Sequence, residues 1–97
     1  MIQSFGNQGT RDIFRALNSK AARKTLSVSS HAKAKQKLDM LDFAKELKDL
    51  KIPPGNRLEA LTGDFHGFYS IRINDQWRIV FRWSSSSAEE VSICDYH

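Results

Sequence analysis

The spacing of apolar positions along this chain changes once, at a Pro-Pro-Gly break at residues 53–55. Before the break, apolar residues recur at the three- and four-residue intervals that line one face of a helix. Ile13, Phe14 and Leu17 form a short stripe. With Thr10 as N-cap and Asp12 in the first turn, they predict a helix to about residue 18. A longer stripe of Ala34, Leu38, Leu41, Ala44, Leu47 and Leu50 predicts a second helix from residue 29 or 30 to residue 50. Proline lacks an amide hydrogen and clashes with the preceding turn, so the pair at 53–54 ends it. Residues 19–30 read as a polar, basic connection between the two helices.

After the break the period drops to two. Residues 56–61, 69–74, 76–83 and 90–95 read as strands, with turn residues at 64–67 and 74–75 and a serine loop at 84–87. Residues 1–5 also alternate and predict a short first strand. This order predicts one α+β domain over residues 1–97, with two N-terminal helices packed on one face of a small, mainly antiparallel sheet. Alternation also sorts side chains by face. Trp77, Ile79, Phe81 and Trp83 point toward the helices, joined by Tyr69, Ile71, Ile73, Leu58 and Ala60. Arg57, Glu59, Arg72, Arg78 and Arg82 are thereby expected together on the uncovered face.

Composition narrows the class. With 40% apolar and 27% charged residues, a folded core is expected. No stretch approaches the roughly 18 apolar residues of a membrane span, and the first residues carry no secretory pattern. The single cysteine, Cys94, has no partner for an internal disulfide, which predicts a reducing, cytoplasmic setting. His31, His66 and His97 show no metal-ligand spacing with Cys94, so neither a metal nor a cofactor is expected.

The charge is unevenly spread. Residues 1–51 hold eleven Lys/Arg against five Asp/Glu, a net +6, whereas residues 52–97 hold four against six, a net −2. Lys20, Arg23, Lys24, Lys33, Lys35 and Lys37 form a run with no acidic residue between positions 18 and 37. Such a run favours a polyanion through counterion release, or else is a solvated face. Every cation in the second half is an arginine, whose planar donor fork suits phosphate. Four arginines around Glu59 are a surplus of positive charge that RNA phosphate would satisfy; the bland alternative is a solvated sheet face with Glu59 paired to one of them.

The chain ends Asp95-Tyr96-His97, residue types that metal-free RNA cleavage can use. That reaction needs a base near the ribose 2′-hydroxyl, an acid near the leaving 5′-oxygen and cations on the phosphorane. His97 suits either proton-transfer role, Tyr96 can donate a proton or stack on a base, and Arg72 and Arg78 would stabilise charge. Strand parity puts Tyr96 on the arginine face and Asp95 and His97 on the other, so the end must twist for His97 to reach the site.

Several segments carry a family resemblance. They are Pro-Pro-Gly-Asn-Arg-Leu-Glu-Ala-Leu-Thr-Gly (residues 53–63), Tyr-Ser-Ile-Arg-Ile-Asn-Asp-Gln-Trp-Arg-Ile (69–79) and the terminal Asp-Tyr-His. With the opening Met-Ile-Gln-Ser-Phe and Lys-Leu-Asp-Met-Leu-Asp at 37–42, nearly the whole chain resembles HigB-type toxins of the RelE/ParE superfamily. The resemblance implies a ribosome-dependent mRNA interferase, cutting without metal to leave a 2′,3′-cyclic phosphate and a 5′-hydroxyl. It also implies a HigA-type helix-turn-helix antitoxin, with operator DNA bound only through the complex. Arg78 matches the family's sheet arginine, and Asp95, Tyr96 and His97 its terminal catalytic group. Some members have a catalytic histidine where this chain has Glu59, which implies either that Glu59 itself serves as the base or that activity is weaker. The same fold serves gyrase-directed ParE-type toxins, and a non-catalytic basic nucleic-acid-binding module is a third reading.

Overall fold

The computed structural model describes residues 1–95. Helices α1 (Gln8–Phe14), α2 (Lys20–Thr25) and α3 (His31–Phe43) precede strands β1 (Glu59–Ala60), β2 (Phe68–Arg72), β3 (Trp77–Ser84) and β4 (Ser87–Asp95). The strands form an antiparallel meander in the order β1-β2-β3-β4, so the expected α+β architecture holds. The core is where alternation put it, except that Ala60 of β1, expected on the core side, is exposed. Leu38 and Leu41 of α3 pack with Ile71 of β2, Ile79 and Phe81 of β3 and Val91 of β4, all fully buried. Each such side chain contributes roughly 1.5–3 kcal/mol on burial.

Several boundaries differ from expectation, each for a local reason. The N-cap of α1 is Asn7, whose Oδ1 accepts from the Thr10 N–H at 2.8 Å. Thr10, expected as the cap, is buried inside the helix, where its Oγ1 accepts from the Ile93 N–H at 3.0 Å and ties α1 to β4. The stretch read as a connection contains α2, capped by Ser19, whose Oγ accepts from the Ala22 N–H at 3.0 Å. Helices α1 and α2 touch at Gly9, where a Cβ would lie 2.6 Å from the Ala21 carbonyl oxygen. Only glycine allows that approach.

The expected first strand is reduced to two parallel bridges onto β4, Ile2 with Ala88 and Phe5 with Val91. Strand β4 carries an extra residue between its pairings with Val80 and Arg82. Within that bulge Glu90 takes φ 52° and gives its N–H to Ser4 Oγ at 2.9 Å, which interrupts the ladder.

The long helix also ends early. Its stripe continues through Ala44 and Leu50, both buried, but the backbone leaves the helix at Ala44 and re-forms as a 3-10 turn at Leu47–Lys51. Asp49 makes that break, because its Oδ2 accepts from the N–H groups of Glu46 at 3.0 Å and Lys45 at 3.1 Å. These two bonds hold the Asp49 carboxyl below its ordinary pKa. Beyond the prolines, the expected strand from residue 56 shrinks to β1. Asn56 closes a 3-10 turn and Arg57 is left-handed, with φ 46°. Asn56 is fully buried. Its Nδ2 donates to the Leu50 carbonyl at 3.2 Å and its Oδ1 accepts from Lys37 Nζ at 2.6 Å.

Two stability effects follow. Replacing Lys37 with alanine leaves the Asn56 carbonyl without its donor in a buried position and lowers stability by about 1–3 kcal/mol, read from urea unfolding; an unchanged midpoint would show that the pair contributes nothing. The lowered pKa of Asp49 means its carboxylate stabilises the fold above the ordinary carboxylate range and loses that effect as pH falls through its folded value. The gap in melting temperature between wild type and Asp49→Ala should therefore narrow on acidification, and a gap constant with pH would remove Asp49 from the acid response.

Candidate active site

The face of the sheet away from the helices is not the open arginine surface that alternation suggests. Arg72 and Arg78 stand directly opposite each other on β2 and β3, an arrangement that repels unless each charge is engaged. Arg72 is held by the Asp75 carboxylate and by the Asn74 carbonyl, 3.1 Å from Nε. Arg78 is buried, 6% exposed, which corrects the uncovered placement. Its Nε donates to Ser70 Oγ at 2.8 Å and its Nη2 to the Arg57 carbonyl oxygen at 2.6 Å. The backbone at Arg57 that presents this carbonyl is left-handed, with φ 46°.

Arg57, Glu59, Arg72, Asn74, Asp75 and Arg78 line one polar cavity of about 250 Å³. Four of the five residues expected to share a face thus meet there. Glu59 is exposed at the rim, with no ion pair among the described residues. Arg82 keeps the same parity but lies at the far end of the face, where its Nε is 3.2 Å from Glu90 Oε2.

A second cavity of about 330 Å³ adjoins the first, sharing Arg72, Asn74 and Asp75 and adding Lys33, Lys37, Gly55 and Ile73. Two members of the basic run therefore border the arginine cavity. Lys37 does so from a buried position, turned toward Asn56, and not as the solvent-facing cation expected of it. Burial, with Lys33 nearby, lowers its pKa from the usual lysine value. Lys35 points elsewhere, paired with Asp39 at 3.0 Å and lying over the Phe14 ring. Lys20, Arg23 and Lys24 sit on α2 and line neither cavity, Arg23 being bonded to the Asn18 carbonyl at 2.6 Å.

Strand β4 runs to Asp95, which pairs with Trp77 while Cys94 pairs with Arg78. Asp95 therefore has the parity opposite to Arg78, and its Oδ2 accepts from Gln76 Nε2 at 3.0 Å. Tyr96 and His97 lie outside the described residues. Ser70, Asn74 and Asp75 were placed by the sequence on the outer face and in a turn, but were given no part in the site. Their signal was available in part, since Ser70 shares the parity of Arg72 on β2 and Asn74-Asp75 is the turn between the two arginine strands. A groove of about 420 Å³ between α1 and the start of α3 is mostly apolar. Its one histidine, His31, is tied by Nε2 to the Leu26 carbonyl at 2.8 Å, so no acid–base pair is formed there. Among the described residues no group of three or more His, Cys, Asp or Glu could hold a metal ion, and no helix is long and apolar enough to cross a membrane.

Comparison with known proteins places this geometry in a family. Residues 4–97 match the family model described as the RelE-like toxin of type II toxin-antitoxin system HigB. Toxin HigB-1 of Vibrio cholerae is 52% identical over 48 residues, half of each chain. A Haemophilus influenzae protein is 34% identical over 56 residues, so the chain spans only about half the length of these two relatives. Endoribonuclease HigB of Proteus vulgaris is 28% identical over the full length of both chains. The YoeB-YefM complex from Staphylococcus aureus shares the fold, with TM-score 0.61, 16% identity and coverage of 100% and 98% of the two chains. So does the YoeB/ParE toxin from Agrobacterium tumefaciens, with TM-score 0.56, 17% identity and coverage of 99% and 100%. The chain belongs to the HigB family of RelE-like toxins of type II toxin–antitoxin systems.

Proposed function

We propose that this toxin is an endoribonuclease that cuts mRNA in the arginine cavity by acid–base chemistry of its own side chains. The observation that carries the reading is the shared cavity of Arg57, Arg72, Arg78 and Glu59. A phosphate seated there meets preorganised guanidinium groups where negative charge grows as the phosphorane forms. Arg78 is already desolvated and fixed by Ser70 and Arg57, so no reorganisation is needed when that charge appears.

Glu59, at the rim and among the described residues free of ion pairing, is the candidate base for the ribose 2′-hydroxyl. Attack of that oxygen on phosphorus closes a 2′,3′-cyclic phosphate and expels the 5′-oxygen, which takes a proton. Tyr96 and His97 are the candidate donors, with Asp95 as their neighbour at the strand end. Lys33 and Lys37 extend the cationic wall and give the flanking phosphates a track. The family's Proteus relative is named an endoribonuclease, which supports the reaction class. In the same reading the message is cut on the ribosome in the cytoplasm. The toxin is restrained by a HigA-type antitoxin, which alone contacts operator DNA.

Expression in cells followed by mapping of transcript 5′ ends tests substrate and mechanism together. New ends inside translated codons are expected, and they should vanish when translation is blocked. Tyr96→Ala and His97→Ala should each lower cleavage by at least about 100-fold, the usual scale of a lost proton-transfer group. Toxicity and cutting that survive both substitutions would transfer the toxin to the class that acts by binding alone.

A further inference from the structure

The far end of the arginine face carries a second constellation that the cleavage chemistry does not use. Phe68 and Arg82 are cross-strand partners, in the same unbroken β2–β3 register that pairs Arg72 with Arg78. The Arg82 guanidinium lies 4.7 Å above the Phe68 ring centre, and its Nε is 3.2 Å from Glu90 Oε2. Phe65 returns from the preceding loop to meet Phe68 edge-on, with ring centres 5.9 Å apart. That return passes through left-handed glycines at 63 and 67, with φ 64° and 94°. Phe65 is nonetheless 53% exposed, and the Arg82 side chain 47%. An aromatic ring and a planar cation are thus held in place with much of their surface in water.

We propose that Phe65, Phe68 and Arg82 form a stacking subsite for one nucleobase of single-stranded RNA, beside the nucleotide cut in the main cavity. The proposal rests on the endoribonuclease reading of that cavity. Stacking is favoured over phosphate binding because Glu90 already offsets the Arg82 charge while leaving the plane of the guanidinium available. The bulge residue Glu90 sets the orientation of that plane, since its left-handed backbone directs the carboxylate to Nε. RNA is favoured over a protein partner because the platform lies on the same face and strand pair as the cationic cavity. Arg82 lies four positions along β3 from Arg78, about 13 Å at ~3.3 Å per residue, a span that a strand leaving the cavity would cross. Bases stack on aromatic rings and on guanidinium planes with little regard to identity, so the subsite would position the strand and bias the cut only mildly.

The test uses the full chain and a short single-stranded RNA in which one abasic nucleotide is walked along the sequence. Binding is read by fluorescence anisotropy at low salt. In the wild type, one abasic position should weaken binding about tenfold, within the range for one stacked base. Phe65→Ala and Arg82→Lys should each weaken the intact RNA by a similar factor yet leave the abasic RNA unaffected. Arg82→Lys keeps the charge, so a purely electrostatic role predicts no loss on either RNA; that outcome, or equal losses on intact and abasic RNA, would overturn the proposal. Unchanged RNA binding with weakened antitoxin binding would also overturn it, by giving the platform to a protein. Thermal melts establish that both variants fold, and exposed Phe65 can be truncated without opening the core. If wild type cuts mRNA in cells and both variants cut with the same efficiency and flanking-base preference, the subsite fails while the endoribonuclease reading stands. If wild type neither binds nor cuts RNA, both fail.

Discussion

The site depends on one guanidinium held out of water. Withdrawing a cation from solvent costs several kcal/mol unless its donors are met, so a buried arginine dictates what surrounds it. Arg78 is met by Ser70 on the neighbouring strand and by the carbonyl of Arg57 on the turn before β1. The second of these matters most. Strand β1 is two residues long, and two ladder pairs are a weak hold on an edge. The Arg57 carbonyl bonded to Nη2 fixes the chain two residues ahead of Glu59, so the same contact that desolvates the cation also places the carboxylate. The left-handed backbone at Arg57, uncommon for a residue with a Cβ, is the local strain that this contact sustains.

A second polar link anchors that turn from the helix side. Lys37 donates to Asn56, and Asn56 donates to the Leu50 carbonyl, so α3 and the 3-10 segment after it grip the residue preceding Arg57. From α3 to β3 the path runs Lys37, Asn56, Arg57, Arg78, every step a hydrogen bond or a peptide link. It joins the two cavities mechanically as well as by their shared wall of Arg72, Asn74 and Asp75. Among the described residues, Lys33, Lys37, Arg57, Arg72 and Arg78 stand around the joined space with the carboxylates Glu59 and Asp75. Asp75 is committed to Arg72.

Alternation along β2 and β3 was enough to assign Ile71, Ile79 and Phe81 to the core and Arg72 and Arg78 to the other face, because parity is a property of the backbone alone. Burial on that second face was not legible, since it depends on Ser70 and on a carbonyl 21 positions away. The helix boundaries failed for the same reason. Thr10 has the composition of a cap, but Ile93 claims its hydroxyl; the stripe through Leu50 looks continuous, but Asp49 offers the backbone a better partner at Lys45 and Glu46. Helix α2 left little trace because only Ala22 of its six residues is buried. Cationic runs were the least informative signal. Of six residues in the basic stretch, Lys33 and Lys37 reach the arginine cavity's neighbour, and one of those is there to hold a turn.

Arg78 and Arg82 lie on one strand with one parity, yet their surroundings differ in a way that assigns them different work. Arg78 is dry and fixed by hydrogen bonds to Ser70 and the Arg57 carbonyl, so its guanidinium acts at close range. Arg82 is wet, its charge offset by Glu90, and presents a plane over an aromatic ring. In low dielectric an arginine acts chiefly through its field; in water the field is screened and flat apolar surface counts for more. A face graded from the first condition to the second over a few residues fits an extended polymer that alternates charge with flat rings. Neither a small ligand nor a globular partner needs both properties at that spacing, whereas a single strand of RNA carries them in every nucleotide.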